Sequence, residues 1–187
     1  MADDPFDRDP TVRHGVPETV APGVRRVVAD NPSPMTFTGS ATYLVGDAAL
    51  AVIDPGPDDP RHLEALRAEI GGAPVAAILV THSHRDHSPL ARPLAAETGA
   101  PVLAFGAHGA GMSERMRALA EAGAELGRGE GADAGFVPDR TLADGESVAG
   151  PGWRLSAVHT PGHISNHLAF ALDGTGALFT GDCVMGW

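Results

Sequence analysis

The residues of this chain that could do chemistry are concentrated in residues 81–87, which have the sequence THSHRDH. Three of the nine histidines and one aspartate stand within six positions there. Imidazole nitrogens and carboxylate oxygens are the donors that bind borderline divalent cations such as zinc. Because the apolar residues 76–80 come directly before them, we expect a loop at a strand end that points the donors inward. A metal-binding loop fits this segment better than a solvated polar loop.

Two later segments supply further donors, and each follows a predicted strand. His163 ends the segment HTPGH at 159–163, and Asp182 ends the segment TGD at 180–182. Small residues beside each donor let the backbone approach an ion closely. The sequence therefore predicts that donors from three strand ends converge on one centre. The candidate metal ligands are His82, His84, Asp86, His87, His163 and Asp182.

The elements that position these donors are predicted from hydrophobic periodicity, capping residues and turn residues. Helices are predicted at 60–70, from Ser88-Pro89 to Gly99, and at 113–122. Strands are predicted at 24–29, 41–45, 49–53, 76–80, 102–104, 146–148, 153–158, 167–172 and 177–180. The glycine-rich residues 123–135 are expected to form a mobile loop, either bordering the pocket or as a tolerated surface insertion. Loops between a strand end and a helix start commonly carry ligand sites in α/β proteins.

Composition limits the classes of protein to which the chain could belong. At 187 residues it has room for one domain, with residues 1–23 as an irregular N-terminal arm and residues 24–187 as the folded part. The net charge is −11, and all thirteen basic residues are arginine, which disfavours binding to long nucleic acids. No apolar run is long enough for a membrane helix, and the start has no apolar signal core, so we expect a cytoplasmic location. The single cysteine, Cys183, excludes an internal disulfide.

Four motifs, in order along the chain, make it resemble the metallo-β-lactamase superfamily. They are Ile53-Asp54-Pro55-Gly56, the H-x-H-x-D-H loop of residues 82–87, Thr160-Pro161-Gly162-His163 and Gly181-Asp182. Over roughly residues 36–187 the chain is most similar to the β-lactamase-like protein 2 group of that superfamily. The resemblance implies an α/β fold, a four-layer αββα sandwich of which mainly the N-terminal half is present.

The same resemblance implies roles for the donors. His82, His84 and His163 would bind one metal ion, Asp86 and His87 a second, and Asp182 would bridge the two. Asp54 would hold the histidine loop through hydrogen bonds, although a buried turn or capping aspartate explains it equally well. The family pattern has one more histidine after the bridging aspartate, and this chain lacks it, so we expect a truncated chain with a weak second site. Self-association through the exposed truncated face is also expected.

The function expected from these residues is metal-dependent hydrolysis of an ester, thioester or phosphodiester by a metal-activated hydroxide. Asp86 is the candidate catalytic residue, because it could orient the hydroxide and pass a proton to the leaving group. One or two Zn²⁺ ions are expected, with iron or manganese as alternatives. The substrate is expected to be a small molecule, and the acidic charge disfavours the other option, a short single-stranded RNA. Three alternatives are a glyoxalase-II-like thioesterase, a mononuclear-iron persulfide-type oxidoreductase and a non-catalytic metal-binding fragment.

Other possible donors have simpler explanations. For His159 and for His167, a core histidine with satisfied hydrogen bonds is expected rather than a residue that orients a metal ligand. Cys183 neighbours Asp182, and adjacent strand residues point to opposite faces, so only Asp182 is expected to reach the ions. The remaining three histidines, His14, His62 and His108, are expected on the surface.

Overall fold

The computed structural model describes residues 11–123 and 131–185. The acidic start of the predicted arm, the middle of the predicted glycine-rich loop and the last two residues lie outside the described residues. Within the described ranges, the elements follow the predicted order closely. None of the helices there is long and apolar enough to cross a membrane.

The first sheet has seven strands that lie side by side in chain order. They are β1 Glu18–Ala21, β2 Val24–Val28, β3 Ala41–Val45, β4 Leu50–Ile53, β5 Val75–Leu79, β6 Val102–Ala104 and β7 Arg140–Thr141. Strands β1 to β4 pair antiparallel, and β4 to β7 pair parallel. The sheet is therefore mixed, with the parallel strands β4 and β5 ending at the same edge.

The second sheet is antiparallel, in the order β11-β10-β9-β8. Its strands are β8 Ser147–Gly150, β9 Trp153–His159, β10 Leu168–Leu172 and β11 Leu178–Phe179. Alternate residues of β9 are buried and face the first sheet, as expected for a strand with one covered face. The sequence-predicted turn at 173–176 joins β10 to β11.

Three helices accompany these sheets: α1 Pro60–Ile70, α2 Ala91–Thr98 and α3 Glu114–Glu121. Helix α1 begins as predicted, because the Asp59 side chain accepts a hydrogen bond from the Arg61 N–H and Pro60 occupies the first turn. It ends at Gly71, whose φ of 59° is the left-handed conformation that glycine adopts without strain.

Two apolar cores fill the spaces between the layers. One contains residues of α1 and α2 packed on the first sheet, such as Leu66 and Leu94, and the other fills the space between the two sheets around Phe170. The α/β class and the packed pair of sheets are confirmed as a helix–sheet–sheet arrangement. On the far face of the second sheet, Arg154 and Val158 are exposed, so no further layer covers them within the described residues.

Two expectations about elements need correction. Residues 18–21, predicted as part of an irregular arm, form strand β1, whose Glu18 lies 2.7 Å from Arg26 of β2 in an ion pair. Helix α2 begins at Ala91 rather than at Ser88-Pro89. The Ser88 hydroxyl is not a cap, because its single proton is shared between the His84 carbonyl at 3.1 Å and Asp133 Oδ2 at 3.2 Å.

Candidate metal centre

The histidine loop leaves the end of β5 and is held in place by Asp54, which directly follows β4. The Asp54 carboxylate accepts hydrogen bonds from the Thr81 backbone N–H at 2.7 Å and the Thr81 hydroxyl at 2.7 Å, and it contacts His87 Nδ1 at 2.9 Å. Its backbone has a φ of 50°, an uncommon conformation for a residue other than glycine. Asp54 therefore holds the histidine loop through hydrogen bonds, the first of the two roles considered for it.

The hydrogen-bond network around Asp54 determines which ring nitrogens can bind an ion. The Thr81 hydroxyl donates its proton to Asp54, so its oxygen accepts from His82 Nδ1, 2.9 Å away. His87 Nδ1 likewise donates to Asp54. In its neutral form each ring then has its lone pair on Nε2, where it can bind a metal ion.

The first donor group contains His82, His84, His163 and Asp182, whose candidate ligand atoms all lie within 4.8 Å of one another. His84 Nδ1 is 2.9 Å from His82 Nε2 and 2.9 Å from His163 Nε2. Asp182 Oδ2 is 3.8 Å from His82 Nε2 and 3.5 Å from His163 Nε2. A tetrahedral zinc ion with bonds of about 2.0–2.1 Å to nitrogen separates its donors by about 3.3–3.4 Å, so these spacings bracket the required value.

The second donor group contains Asp86, His87 and Asp182. His87 Nε2 is 3.1 Å from Asp86 Oδ2 and 3.3 Å from Asp182 Oδ1. The two carboxylate oxygens of Asp182 thus face different groups. This arrangement would let one carboxylate bridge two ions.

Burial and the neighbouring charges set the protonation of the site. Burial and the charges of neighbouring histidines hold the pKa of His82 well below its usual value, and burial and His163 lower that of His84 to about 4. Burial also lowers the pKa of His87, but the charge of Asp54 and hydrogen bonds with Asp182 and other carboxylates raise it well above its usual value. In the absence of a cation, a proton on His87 would therefore balance the carboxylates around it.

The donor set fits a divalent cation. Burial raises the pKa of Asp86, but hydrogen bonding to His87 and the charge of that ring outweigh it and lower the pKa to about 2, so Asp86 is ionised at neutral pH. Its Oδ1 is buried and has no hydrogen-bond partner within residues 11–123 and 131–185. Such an atom costs free energy unless an ion or water satisfies it. Nitrogen and carboxylate donors without a cysteine are typical of zinc, iron and manganese sites.

The structure brings all six sequence-predicted donors together and leaves Cys183 outside both groups. Cys183 is exposed. The expectation of strand alternation at this point is wrong, because residues Gly181–Cys183 form a 3₁₀ turn. Asp182 nevertheless reaches the centre, because the turn points its side chain towards both donor groups.

Two of the three histidines expected on the surface are not fully exposed. His62 is 2 % exposed on the inner face of α1, where its Nε2 is 2.8 Å from the Thr42 hydroxyl. Burial lowers its pKa to about 4. His108 is half-buried, with Nδ1 3.0 Å from the Ser83 hydroxyl. His14 is exposed, as predicted.

Sequence reasoning missed several residues that support the donors. The Ser40 hydroxyl donates a 2.7 Å hydrogen bond to Asp86 Oδ2, although 46 positions separate the two residues. The backbone N–H of Asp133, at the described end of the glycine-rich loop, donates to the Ser83 carbonyl at 2.8 Å. Long-range partners of this kind leave no local signal in the sequence. The described end of the glycine-rich segment therefore contacts the histidine loop.

An open cavity of about 430 Å³ adjoins the second donor group. Asp86, His87 and Asp182 form part of its wall. Apolar side chains such as Phe37 and Phe179 and polar side chains such as Arg26 and Thr38 line the remainder. The second group is therefore accessible from the space between the two sheets.

Comparisons with known proteins agree with this geometry. The family model described as Metallo-beta-lactamase superfamily matches residues 35–185. The chain is 30% identical over 175 residues to an atrochrysone carboxyl ACP thioesterase of Aspergillus novofumigatus, covering 90% of this chain and 46% of that protein. It is 28% identical over 186 residues to a beta-lactamase-like protein 2 homolog of Caenorhabditis elegans, covering 95% of this chain and 55% of that one.

Among solved structures, a beta-lactamase domain protein from Burkholderia ambifaria superposes with a TM-score of 0.69 at 27% identity. That match covers 95% of this chain and 59% of the other. The chain therefore spans about half the length of the curated relatives it matches. The similarity extends over nearly all of this chain, including both donor groups.

Proposed function

Because the chain belongs to the metallo-beta-lactamase superfamily, we propose that it is a metal-dependent hydrolase of ester, thioester or phosphodiester bonds. The observation that carries the proposal is the pair of donor groups that share Asp182 at one edge of the packed sheets. When bound there, divalent cations would lower the pKa of a water molecule towards neutrality and polarise a substrate oxygen. The proposal covers the activity of the whole protein, because this chain spans about half the length of its curated relatives.

We assign the donors as the sequence suggested. His82, His84 and His163 would hold one ion, Asp86 and His87 a second, and Asp182 would contribute one oxygen to each. The metal would be zinc, in one or two ions, with iron and manganese as the alternatives to test. The nitrogen-rich first group supports zinc at that position.

Asp86 is the proposed catalytic residue. The Ser40 hydroxyl and His87 fix its Oδ2, which leaves Oδ1 without a hydrogen bond in the described part of the chain. A carboxylate held in this way can accept a proton from the attacking water at Oδ1 and deliver it to the leaving group. Asp86 forms part of the cavity wall, so a substrate bound in the cavity would lie next to this carboxylate.

Thioesters are the substrate class that we favour. The support comes from relatives described as ACP thioesterases, at 30% and 31% identity. A thioester has a carbonyl oxygen to be polarised and a thiolate leaving group that needs little protonation, so a site with one mobile proton suffices. The small-molecule substrate and the cytoplasmic location remain proposals.

The direct test is to measure metal content by elemental analysis and hydrolysis of an acyl-pantetheine thioester, a nitrophenyl ester and a bis-nitrophenyl phosphodiester. We expect bound zinc, loss of hydrolysis with a chelator, and recovery when zinc is returned. His84→Ala should lose both metal and activity. The control is Cys183→Ser, which changes a potential ligand type beside Asp182 but outside both donor groups.

Each alternative gives a different result in the same experiment. His84→Ala with full metal content and full hydrolysis would contradict the proposed site. A single iron that consumes oxygen with a persulfide substrate would favour the oxidoreductase. Bound zinc with no turnover of any probe would favour a non-catalytic metal-binding module. Thioester turnover confined to glutathione conjugates would identify a glyoxalase-II-like enzyme.

A further inference from the structure

His167 belongs to neither donor group, yet it lies between the segments that carry the donors. It is fully buried, at 0 % exposure. Its Nε2 accepts a hydrogen bond from the backbone N–H of Asp182 at 3.2 Å, and its Nδ1 lies 2.8 Å from the Thr160 hydroxyl. The ring also stacks on His82, with centroids 4.8 Å apart and an interplanar angle of 29°. One side chain therefore contacts all three donor-bearing segments.

The backbone beside His167 ties the same segments together. The Leu168 N–H donates to the Thr81 carbonyl at 2.8 Å, and the Thr160 N–H donates to the His167 carbonyl at 3.0 Å. The preceding residue, Asn166, is also buried and donates to the Ser83 hydroxyl at 3.0 Å. The turn that carries Asp182 differs from the other two segments, because its hydrogen bond to residues 166–168 is made to the His167 ring.

The contacts of His167 specify one tautomer. An N–H donor at Asp182 requires a lone pair on Nε2, so the ring proton is on Nδ1 and is donated to the Thr160 oxygen. The approach of the turn is close, because a Cβ added at Gly181 would lie 2.7 Å from His167 Nε2. Gly181 has a φ of 48°, so the turn combines a left-handed backbone with direct packing on the ring.

We propose that His167 is a positioning residue for Asp182: by accepting the Asp182 N–H, it fixes the carboxylate where it can contribute to both donor groups. It would thereby control metal affinity without touching an ion. The inference rests on the proposed function only in requiring that a divalent cation binds these groups. It requires no catalytic turnover. Partners that orient ligands typically change metal affinity by about 10- to 100-fold when they are removed.

Two substitutions separate the roles of the two ring nitrogens. In His167→Gln, the amide oxygen can reach the position of Nε2 and accept the Asp182 N–H. In His167→Asn, the shorter amide reaches only the position of Nδ1, so the Thr160 contact can persist while the Asp182 N–H loses its acceptor. Zinc affinity, measured by competition with a chromogenic chelator, should fall about 10- to 100-fold in His167→Asn and stay near the wild-type value in His167→Gln.

Equal zinc affinity in both variants, whether near or far below wild type, would overturn the proposal. The stability control is Leu172→Ala, which removes core side chain from the far end of β10 and should lower the melting temperature without changing zinc affinity. If the His167 variants do not fold, Thr160→Val is the second test, because it removes the oxygen that accepts the ring proton, together with the contacts of that hydroxyl to the Gly181 and Val184 carbonyls. Unchanged zinc affinity in that variant would then contradict the proposal.

The two proposals can fail separately. Wild-type protein that binds zinc but hydrolyses none of the probes would contradict the proposed function and leave the role of His167 standing. Wild-type affinity in His167→Asn would contradict the role of His167 and leave the proposed hydrolase standing.

Discussion

Asp54 shows how a single residue can position a metal-binding loop without belonging to it. The residue is 4 % exposed, and its carboxylate binds three groups of the histidine loop. These bonds also place a proton on Nδ1 of two rings: Asp54 acts on His87 directly and on His82 through the Thr81 hydroxyl. Because a buried carboxylate needs such partners, the loop and Asp54 stabilise each other.

We therefore expect Asp54→Asn to destabilise the protein. Asparagine tolerates the positive φ of this position, so the backbone should be preserved. The new amide group, however, introduces an N–H donor facing the Thr81 N–H, the Thr81 hydroxyl and His87 Nδ1, which all donate hydrogen bonds to Asp54. The free energy of unfolding should fall by about 1–3 kcal/mol, as for a buried group that loses its partner. Chemical denaturation of the metal-free protein measures this change.

Asp58→Asn is the matched control, because it makes the same chemical change at an exposed position. It should leave the free energy of unfolding nearly unchanged. A similar stability in the Asp54 variant and this control would show that the carboxylate does not hold the loop.

The six donors could be predicted from the sequence because ligand chemistry restricts residue types and strand ends restrict position. The residues that hold the donors could not. Ser40 and Asn166 are 46 and 83 positions from the residues they bind, and a hydroxyl or amide has many uses in proteins. His62 was misplaced for a related reason, since a histidine on a helix is exposed or buried according to the face it occupies.

At the scale of elements, Trp153 fastens the two sheets at the end opposite the candidate metal centre. It begins β9, whereas His163 follows the other end of that strand. Its Nε1 donates a 2.7 Å hydrogen bond to the Ala49 carbonyl, in the turn between β3 and β4. The ring packs so closely on Gly46 and Gly150 that an added Cβ at either would lie within 2.6 Å of it.

Trp153→Phe should therefore reduce stability while sparing the metal centre. The smaller ring loses the hydrogen bond and leaves a void, so the free energy of unfolding should fall by about 1–3 kcal/mol. Thermal melting measures the loss, and chelator competition should show wild-type zinc affinity. A large loss of zinc affinity would mean that the two ends of the sheets are coupled, contrary to this expectation.

The elements themselves were largely predictable, because the strong signals were local. Asp59-Pro60 and Gly71 delimit α1, and the Gly46-Asp47 turn joins β3 to β4 as expected. The failures have tertiary causes. Ser88 binds the histidine loop instead of capping α2, and residues 18–21 form a strand because the edge of β2 offers them backbone partners.

At the scale of the whole molecule, the second sheet presents an open edge. Strand β11 pairs with β10, and no described residue pairs with its other side. Leu178 in this strand is 51 % exposed, and Val184 just beyond it is 64 % exposed. The adjoining cavity also places Phe179 and Ile53 in its wall. An unpaired strand beside apolar surface is a template for pairing with another chain.

We accordingly expect this chain to self-associate through β11. The apparent mass from sedimentation or light scattering should rise with protein concentration. Leu178→Lys should shift the protein towards the monomer, because a charge on an edge strand disfavours pairing. Val137→Lys is the control: Val137 is 57 % exposed but lies in a loop, so the same substitution there should not change the association. A monomer at all concentrations would show that the open edge is protected in solution.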